Sequence, residues 1–363
     1  MNDADHPHET TTGEPPVTRF PALRGTSLAL LAAALFGAST PLIQWLGEAV
    51  SPWMTAALLY AGAALAGLLT RSPAAREAAL RRRQMPRLLA MALFGAVVAP
   101  CLLAWGLQRT SGAGASLMLT LEAVFTVLLA AALHRERVGQ RVALAIGLIT
   151  LGGLVLVVDR ATVNAPPMFG LLAVLGATLA WAVDNALSRH LADADPGQVV
   201  LGKSALGAGC SFLLSLASGQ TDVSLPAAGG LFLVGAFGYG LSLRCYLLAQ
   251  RAFGAARTGS VFAAAPFIGA GIALALGDRA YSLAMGGGAI LMLAGVILHL
   301  AEQHAHGHSH AAVEHEHAHT HNDGHHDHAH DPLPSSSHSH PHQHVATAHH
   351  HPHVPDLHHL HGH

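Results

Sequence analysis

Four ionisable side chains interrupt long apolar runs in this chain: Glu122, Asp184, Lys203 and Arg244. A charged group at the centre of a bilayer costs about 2.5–3.5 kcal/mol on insertion scales, so it persists where it is paired or lines a polar pathway. Two acids and two bases in such runs could neutralise one another as buried ion pairs, or form a central site that binds a solute and exchanges a proton or an ion. Asp184 is followed by Asn185, which makes this the sharpest polar pair. Ser39 and Thr40 precede Pro41 in an earlier apolar run. Pro41 has no N–H to donate, which loosens a helix and frees a backbone carbonyl. Trp105 and Trp181 also lie inside apolar runs, away from the interfacial belts where Trp commonly anchors. They either wall a cavity or fill the core.

A second chemistry is concentrated beyond residue 300. The segment 301–363 holds 24 of the 29 histidines, many as His-x-His. The candidate metal ligands are His304, His306, His308, His310, His315, His317, His319, His321, His325, His326, His328, His330, His338, His340, His342 and His344. Neutral imidazole suits Zn, Ni, Co and Cu, and no spacing here selects one geometry. Metal affinity should fall as pH drops through the ordinary imidazole value of about 6.5, because protons compete for the same nitrogens. The stretch lacks apolar bulk and is expected to be disordered.

The elements that must position the first group are membrane spans. Of 363 residues, 51% are hydrophobic and only 11% charged, against about 25% charged in soluble domains. About 20 apolar residues cross a bilayer as a helix. Ten segments qualify, near 26–47, 52–70, 87–108, 113–133, 141–158, 168–189, 198–217, 227–249, 257–276 and 281–300. The 38 glycines allow close helix packing, and the steps Ala33/Gly37 and Ala143/Gly147 have the spacing of packing contacts. Cys101, Cys210 and Cys245 lie in apolar runs and are expected to be buried and unpaired.

With a cytoplasmic N-terminus, 14 of the 19 Lys and Arg residues fall in inside segments and 3 in outside loops. That bias places both termini in the cytoplasm. The chain also repeats. A shift of 142 carries Gln108-Arg109 onto Gln250-Arg251, Gly112-Ala113 onto Gly254-Ala255, Phe125 onto Phe267, and Glu136-Arg137 onto Asp278-Arg279. A shift of 145 carries Phe36 onto Trp181, and Ser39 and Thr40 onto Asp184 and Asn185. The expected organisation is a polar N-terminus (1–25), two five-helix halves (26–158 and 168–300) and the tail (301–363). Five spans per half force opposite orientations. Inverted repeats are characteristic of secondary transporters, which bind substrate near the midplane where the halves meet.

Several stretches carry a family resemblance. In the first half they are Gln108-Arg109-Thr110, Thr120-Leu121-Glu122-Ala123-Val124-Phe125 and His134-Arg135-Glu136-Arg137-Val138. In the second they are Gly254, Ala265-Pro266-Phe267 and Leu276-Gly277-Asp278-Arg279. They resemble the tandem EamA-like domains of the drug/metabolite transporter superfamily over residues 26–300. Two positions depart from that pattern: Ala123 stands where proline is common, and Asp278 where glutamate is usual. Trp181-Ala182-Val183-Asp184-Asn185, Asp195-Pro196 and Lys203 resemble a bacterial subgroup whose members also end in histidine-rich tails. The resemblance implies an all-α inner-membrane protein that exports a small solute.

No nucleophile motif, nucleotide loop or closed zinc site appears, so the expectation is a transporter and not an enzyme. It needs no cofactor, and its partners are the bilayer and a small-molecule or ion substrate, not nucleic acid. Two alternatives stand beside solute export. One is efflux of a divalent metal itself, and the other is a non-transporting metal buffer or sensor held at the membrane.

Overall fold

The computed structural model describes residues 20–70, 80, 82–134, 139–161, 165–188, 191, 195–253, 255–279 and 282–300, and four segments of the tail. Among the described residues ten helices are long and apolar enough to cross a membrane. Spans 1 to 5 are Gly25–Gly47, Pro52–Leu69, Arg82–Leu107, Gly112–Leu129 and Gln140–Asp159. Spans 6 to 10 are Met168–Ser188, Gly197–Ala217, Leu225–Ala249, Thr258–Ala275 and Leu283–Leu300. The all-α membrane fold with ten spans is therefore as expected. The first helix begins at Phe20, inside the segment 1–25 expected to be a polar N-terminus. Pro21 in its opening turn has the φ that a helix start requires and gives up an N–H that would be unpaired there anyway.

The two halves are interwoven. Span 1 packs on spans 8 and 9, and span 6 on spans 3 and 4. Span 2 lies against span 7, and span 5 against span 10. These pairings exchange when the halves are exchanged, as a two-fold relation requires. The crossings are built from glycine. A Cβ on Gly106 would lie 2.7 Å from the Gly170 carbonyl oxygen, and one on Gly170 would lie 2.9 Å from that of Gly106. Gly152 and Gly288 make the equivalent crossing of spans 5 and 10, at 2.6 and 3.0 Å. Backbones this close gain dispersion contacts that lipid cannot supply.

Of the two small-residue steps, Ala33/Gly37 does pack, with Gly37 against Ala265 and Gly269 of span 9. Ala143/Gly147 does not: both are exposed and nothing approaches Gly147. Span 5 turns Ala145, Ile149 and Gly152 inward instead. Cys101 and Cys245 are buried and unpaired, whereas Cys210 is exposed on a helix face.

Spans 3 and 8 each contain a π-helical turn, at Ala92–Val98 and Gly235–Leu241. These segments are related by a shift of 143. In span 3 the turn lies just ahead of Pro100, which has no N–H and crowds the turn before it; span 8 makes the same turn with Leu243 at the matching position. The Ala99 N–H of span 3 bonds Phe94 instead of Gly95. Span 4 breaks at Leu119-Thr120, and span 9 at Ala263-Ala264, where Pro266 opens the next helix. Span 4 breaks although Ala123 replaces the expected proline. There the chain tightens to three-residue bonds, from Glu122 N to Leu119 O (3.1 Å) and from Ala123 N to Thr120 O (3.3 Å).

Four segments of the tail are described. Strand β1 (His304–Ser309) pairs antiparallel with β4 (Ala348–His353), and β2 (Val313–His319) with β3 (His338–His344). Backbone pairing needs no apolar side chains, and the His-x-His alternation has the period of a strand. His310, His321, His325, His326, His328 and His330 lie outside the described residues, as do residues 1–19 and Glu136-Arg137.

Candidate functional site

Asp184 and Lys203 form a hydrogen-bonded ion pair between spans 6 and 7. Asp184 is buried, and its second carboxylate oxygen has no hydrogen-bond partner among the described residues. The pair rests directly on Gly95 in the π-helical turn of span 3: any Cβ there would collide with the Asp184 carboxylate and the Lys203 amine. The Gly95 carbonyl, released because the Ala99 N–H bonds Phe94 instead, accepts from two buried side chains. They are Trp181 Nε1 at 3.1 Å and the Tyr60 hydroxyl.

Glu122 lies in the first turn of the helix that follows the break in span 4, the end of the helix dipole that favours negative charge. It accepts from Asn185 Nδ2 at 2.6 Å and lies within coulombic reach of Asp184 and Lys203. Four of the expected residues, Asp184, Asn185, Glu122 and Lys203, thus meet in one place, and Trp181 joins them. Ser39 and Thr40 are buried at the related position in span 1, with Ser39 Oγ bonded to the Phe36 carbonyl at 2.6 Å.

Two expected residues lie elsewhere. Arg244 donates to the Thr70 carbonyl just past the end of span 2, so it caps a helix instead of balancing an acid. Trp105 is 36% exposed, and Arg109 stacks 3.9 Å above its ring near the end of span 3. Trp105 falls on the outer face of a helix whose inner face carries Leu103, Ala104, Gly106 and Leu107.

Sequence reasoning missed an aromatic group beside the ion pair. Phe36 stacks edge-on to Trp181 at 6.3 Å and to Tyr239 at 5.9 Å, and lies 5.5 Å from Phe262. Tyr60 and Trp181 also flank Tyr239, at 5.6 and 6.3 Å. The Tyr239 hydroxyl lies beside Ser39 without a hydrogen bond of good geometry. The repeat carried a signal for this group. A shift of 143 places Tyr60 on Lys203 and Gly95 on Gly238, and a Cβ on Gly238 would lie 2.7 Å from that of Ser39. One half therefore sets glycine against the ion pair, and the other sets glycine against Ser39.

Because the Gly95 carbonyl has two donors, losing one should be mild. Tyr60→Phe or Trp181→Phe alone is expected to cost about 0.5–1.5 kcal/mol, and the double variant more than the sum, because a buried carbonyl is then left unpaired. Thermal unfolding in detergent reads the difference, and strict additivity would refute the shared acceptor. Among the described residues no group of three or more His, Cys, Asp or Glu side chains comes together as a metal site. The tail imidazoles are not among the side chains described.

The family model for EamA-like transporters matches residues 23–158 and again 168–301, which is most of the chain. This protein belongs to the EamA-like transporter family. It is a multi-pass membrane protein carrying two EamA domains. It is similar to an uncharacterized transporter of Methanothermobacter thermautotrophicus, at 30% identity over 227 residues. The match spans 61% of this chain and 66% of that relative, just under two thirds of its length. A crystal structure of a protein 21% identical superposes with a TM-score of 0.53, covering 77% of this chain and 98% of its own. At that identity the likeness concerns the fold alone. As the two EamA domains lie, Asp184 belongs to the second, whereas Gly95 and Glu122, which meet it, belong to the first.

Proposed function

We propose that this EamA-family chain is a secondary transporter that exports a small solute by alternating access between its halves. In this reading it sits in the bacterial inner membrane with both termini cytoplasmic, and the histidine tail binds divalent transition metal on that side. The observation that carries transport is the Asp184–Lys203 pair, held where both halves meet and leaning on a glycine instead of a side chain. A buried ion pair returns little net stability, because desolvation offsets most of the attraction. Its presence beside helix breaks, an unpaired carboxylate oxygen and an aromatic wall favours a working site over a structural bolt. Either partner can be released to a solute, and the carboxylate can carry a proton between the two faces. Glu122 and Asn185 form a second polar position within coulombic range.

The test uses everted membrane vesicles from cells with and without the full-length protein. They are energised and offered the isotopically labelled small-molecule fraction of a cell extract. Mass spectrometry should find at least one species accumulated in the protein-containing vesicles, and the accumulation should collapse in Asp184→Asn. If no species is enriched, transport falls. If Asp184→Asn accumulates solute at the full rate, the role given to the pair falls.

A further inference from the structure

The two tail ladders share one register. His304 faces His353, His306 faces His351 and His308 faces His349 across β1 and β4. His315 faces His342, His317 faces His340 and His319 faces His338 across β2 and β3. Successive strand positions alternate between faces. Each ladder therefore has three consecutive cross-strand histidine pairs on one face. Between β1 and β2 the histidines change from even to odd positions, and between β3 and β4 the other arm changes in step. The register keeps histidine opposite histidine on both sides of that change. Glu314 and Glu316 fall on the other face of their ladder, opposite Gln343 and Pro341.

Backbone pairing alone holds such ladders poorly. A two-stranded ladder is marginal in water. Pro341 and Pro352 bring no N–H, and charged imidazoles facing one another would repel. A metal ion reverses the balance, because it binds neutral imidazole and its binding energy becomes folding energy. Facing positions in an antiparallel pair are about 4.5–5.5 Å apart at Cβ, and two neighbouring pairs supply the four ligands of a tetrahedral ion.

We propose that the tail is a metal-folded hairpin in which the cross-strand histidine pairs of β1 with β4 and of β2 with β3 hold borderline transition ions such as Zn²⁺ or Co²⁺. This rests on the reading of the tail as metal-binding and gives that reading a fixed partner for each histidine. The ion would tie together strands far apart in sequence, β1 to β4 and β2 to β3.

The test uses full-length protein in detergent with Cys210→Ser, since Cys101 and Cys245 are buried. Ala318 faces Ser339, whereas Gln343 faces Glu314. The pair Ala318→Cys/Ser339→Cys should form a disulfide at least roughly tenfold faster with Zn²⁺ than without, through raised effective concentration. Ala318→Cys/Gln343→Cys should not gain. In a second variant His338→Ser, Ser339→His, His340→Pro, Pro341→His, His342→Gln and Gln343→His keep the composition and move three histidines to the opposite face. Co²⁺ bound to the parent tail should show the intense visible bands of tetrahedral coordination, and the permuted tail, which keeps only the β1–β4 pairs, should lose the share of that intensity held between β2 and β3. Equal cross-linking of both cysteine pairs, or unchanged Co²⁺ bands in the permuted tail, overturns the hairpin and leaves a metal-binding tail standing. If the parent tail binds neither ion after dialysis, metal binding falls as well.

Discussion

Asp184→Asn is expected to destabilise the protein by about 3–5 kcal/mol, the cost of leaving a buried charge without its partner. The charge left behind is Lys203, only 14% exposed at its side chain. The thermal midpoint in detergent should fall clearly, and the yield of monodisperse protein should fall with it. Asp184→Asn/Lys203→Met removes both charges and should recover most of that stability, since an apolar replacement for a whole buried pair is often neutral or better. The double variant should nevertheless stay inactive in the vesicle assay. Stability and transport thus come apart: a purely structural pair would regain both, and a pair that works as a site regains only the first. If the single variant melts with the parent protein, the pair is not the buried interaction described here.

The second large effect belongs to the crossing of spans 2 and 8. A Cβ on Gly62 would strike the Phe232 carbonyl and the Ala236 nitrogen, and a Cβ on Gly235 would strike the backbone of Leu59. Backbone cannot rotate away as a side chain can, so the helices must separate. Gly62→Ala is expected to cost at least about 1–3 kcal/mol, in the range of overpacked cores, and Gly235→Leu to prevent a folded bundle altogether. Gly209 is the control, a glycine within span 7 with nothing near its missing Cβ. Gly209→Ala should be neutral or stabilising by up to about 0.5–1 kcal/mol, because glycine is a poor helix former. Size-exclusion profiles and thermal midpoints read all three. A Gly62→Ala protein as stable as the parent would refute the crossing.

Much of this molecule follows from its one-dimensional pattern. Spans appear as apolar runs because lipid demands a long unbroken apolar surface, and the internal shifts of 142 and 145 report a duplicated unit. Asp184, Asn185, Glu122 and Lys203 stand out for the same reason: a polar group in lipid is costly enough to be conspicuous. Tyr60, Tyr239 and Gly95 are not costly in an apolar run, so they give no such signal. Their importance is positional, and only the folded chain brings them beside the pair. Arg244 and Trp105 show the reverse, since they look unusual in sequence and prove to be a helix cap and an outward-facing ring. The missing proline at Ala123 shows it again, because span 4 breaks without it.

The ionisable side chains within the spans and the histidine run could be named from the sequence, because composition alone decides whether a segment belongs to lipid or to water. Which acid meets which base could not. Asp184 and Lys203 are 19 residues apart, on successive helices, but the same segments also offered Glu122 and Arg244 as partners. The choice was made by close backbone approach at Gly95 and by the π-helical turn at Ala92–Val98. Pairing depends on distances of a few ångströms between helices, and those are set by packing across the two halves and not by order along the chain.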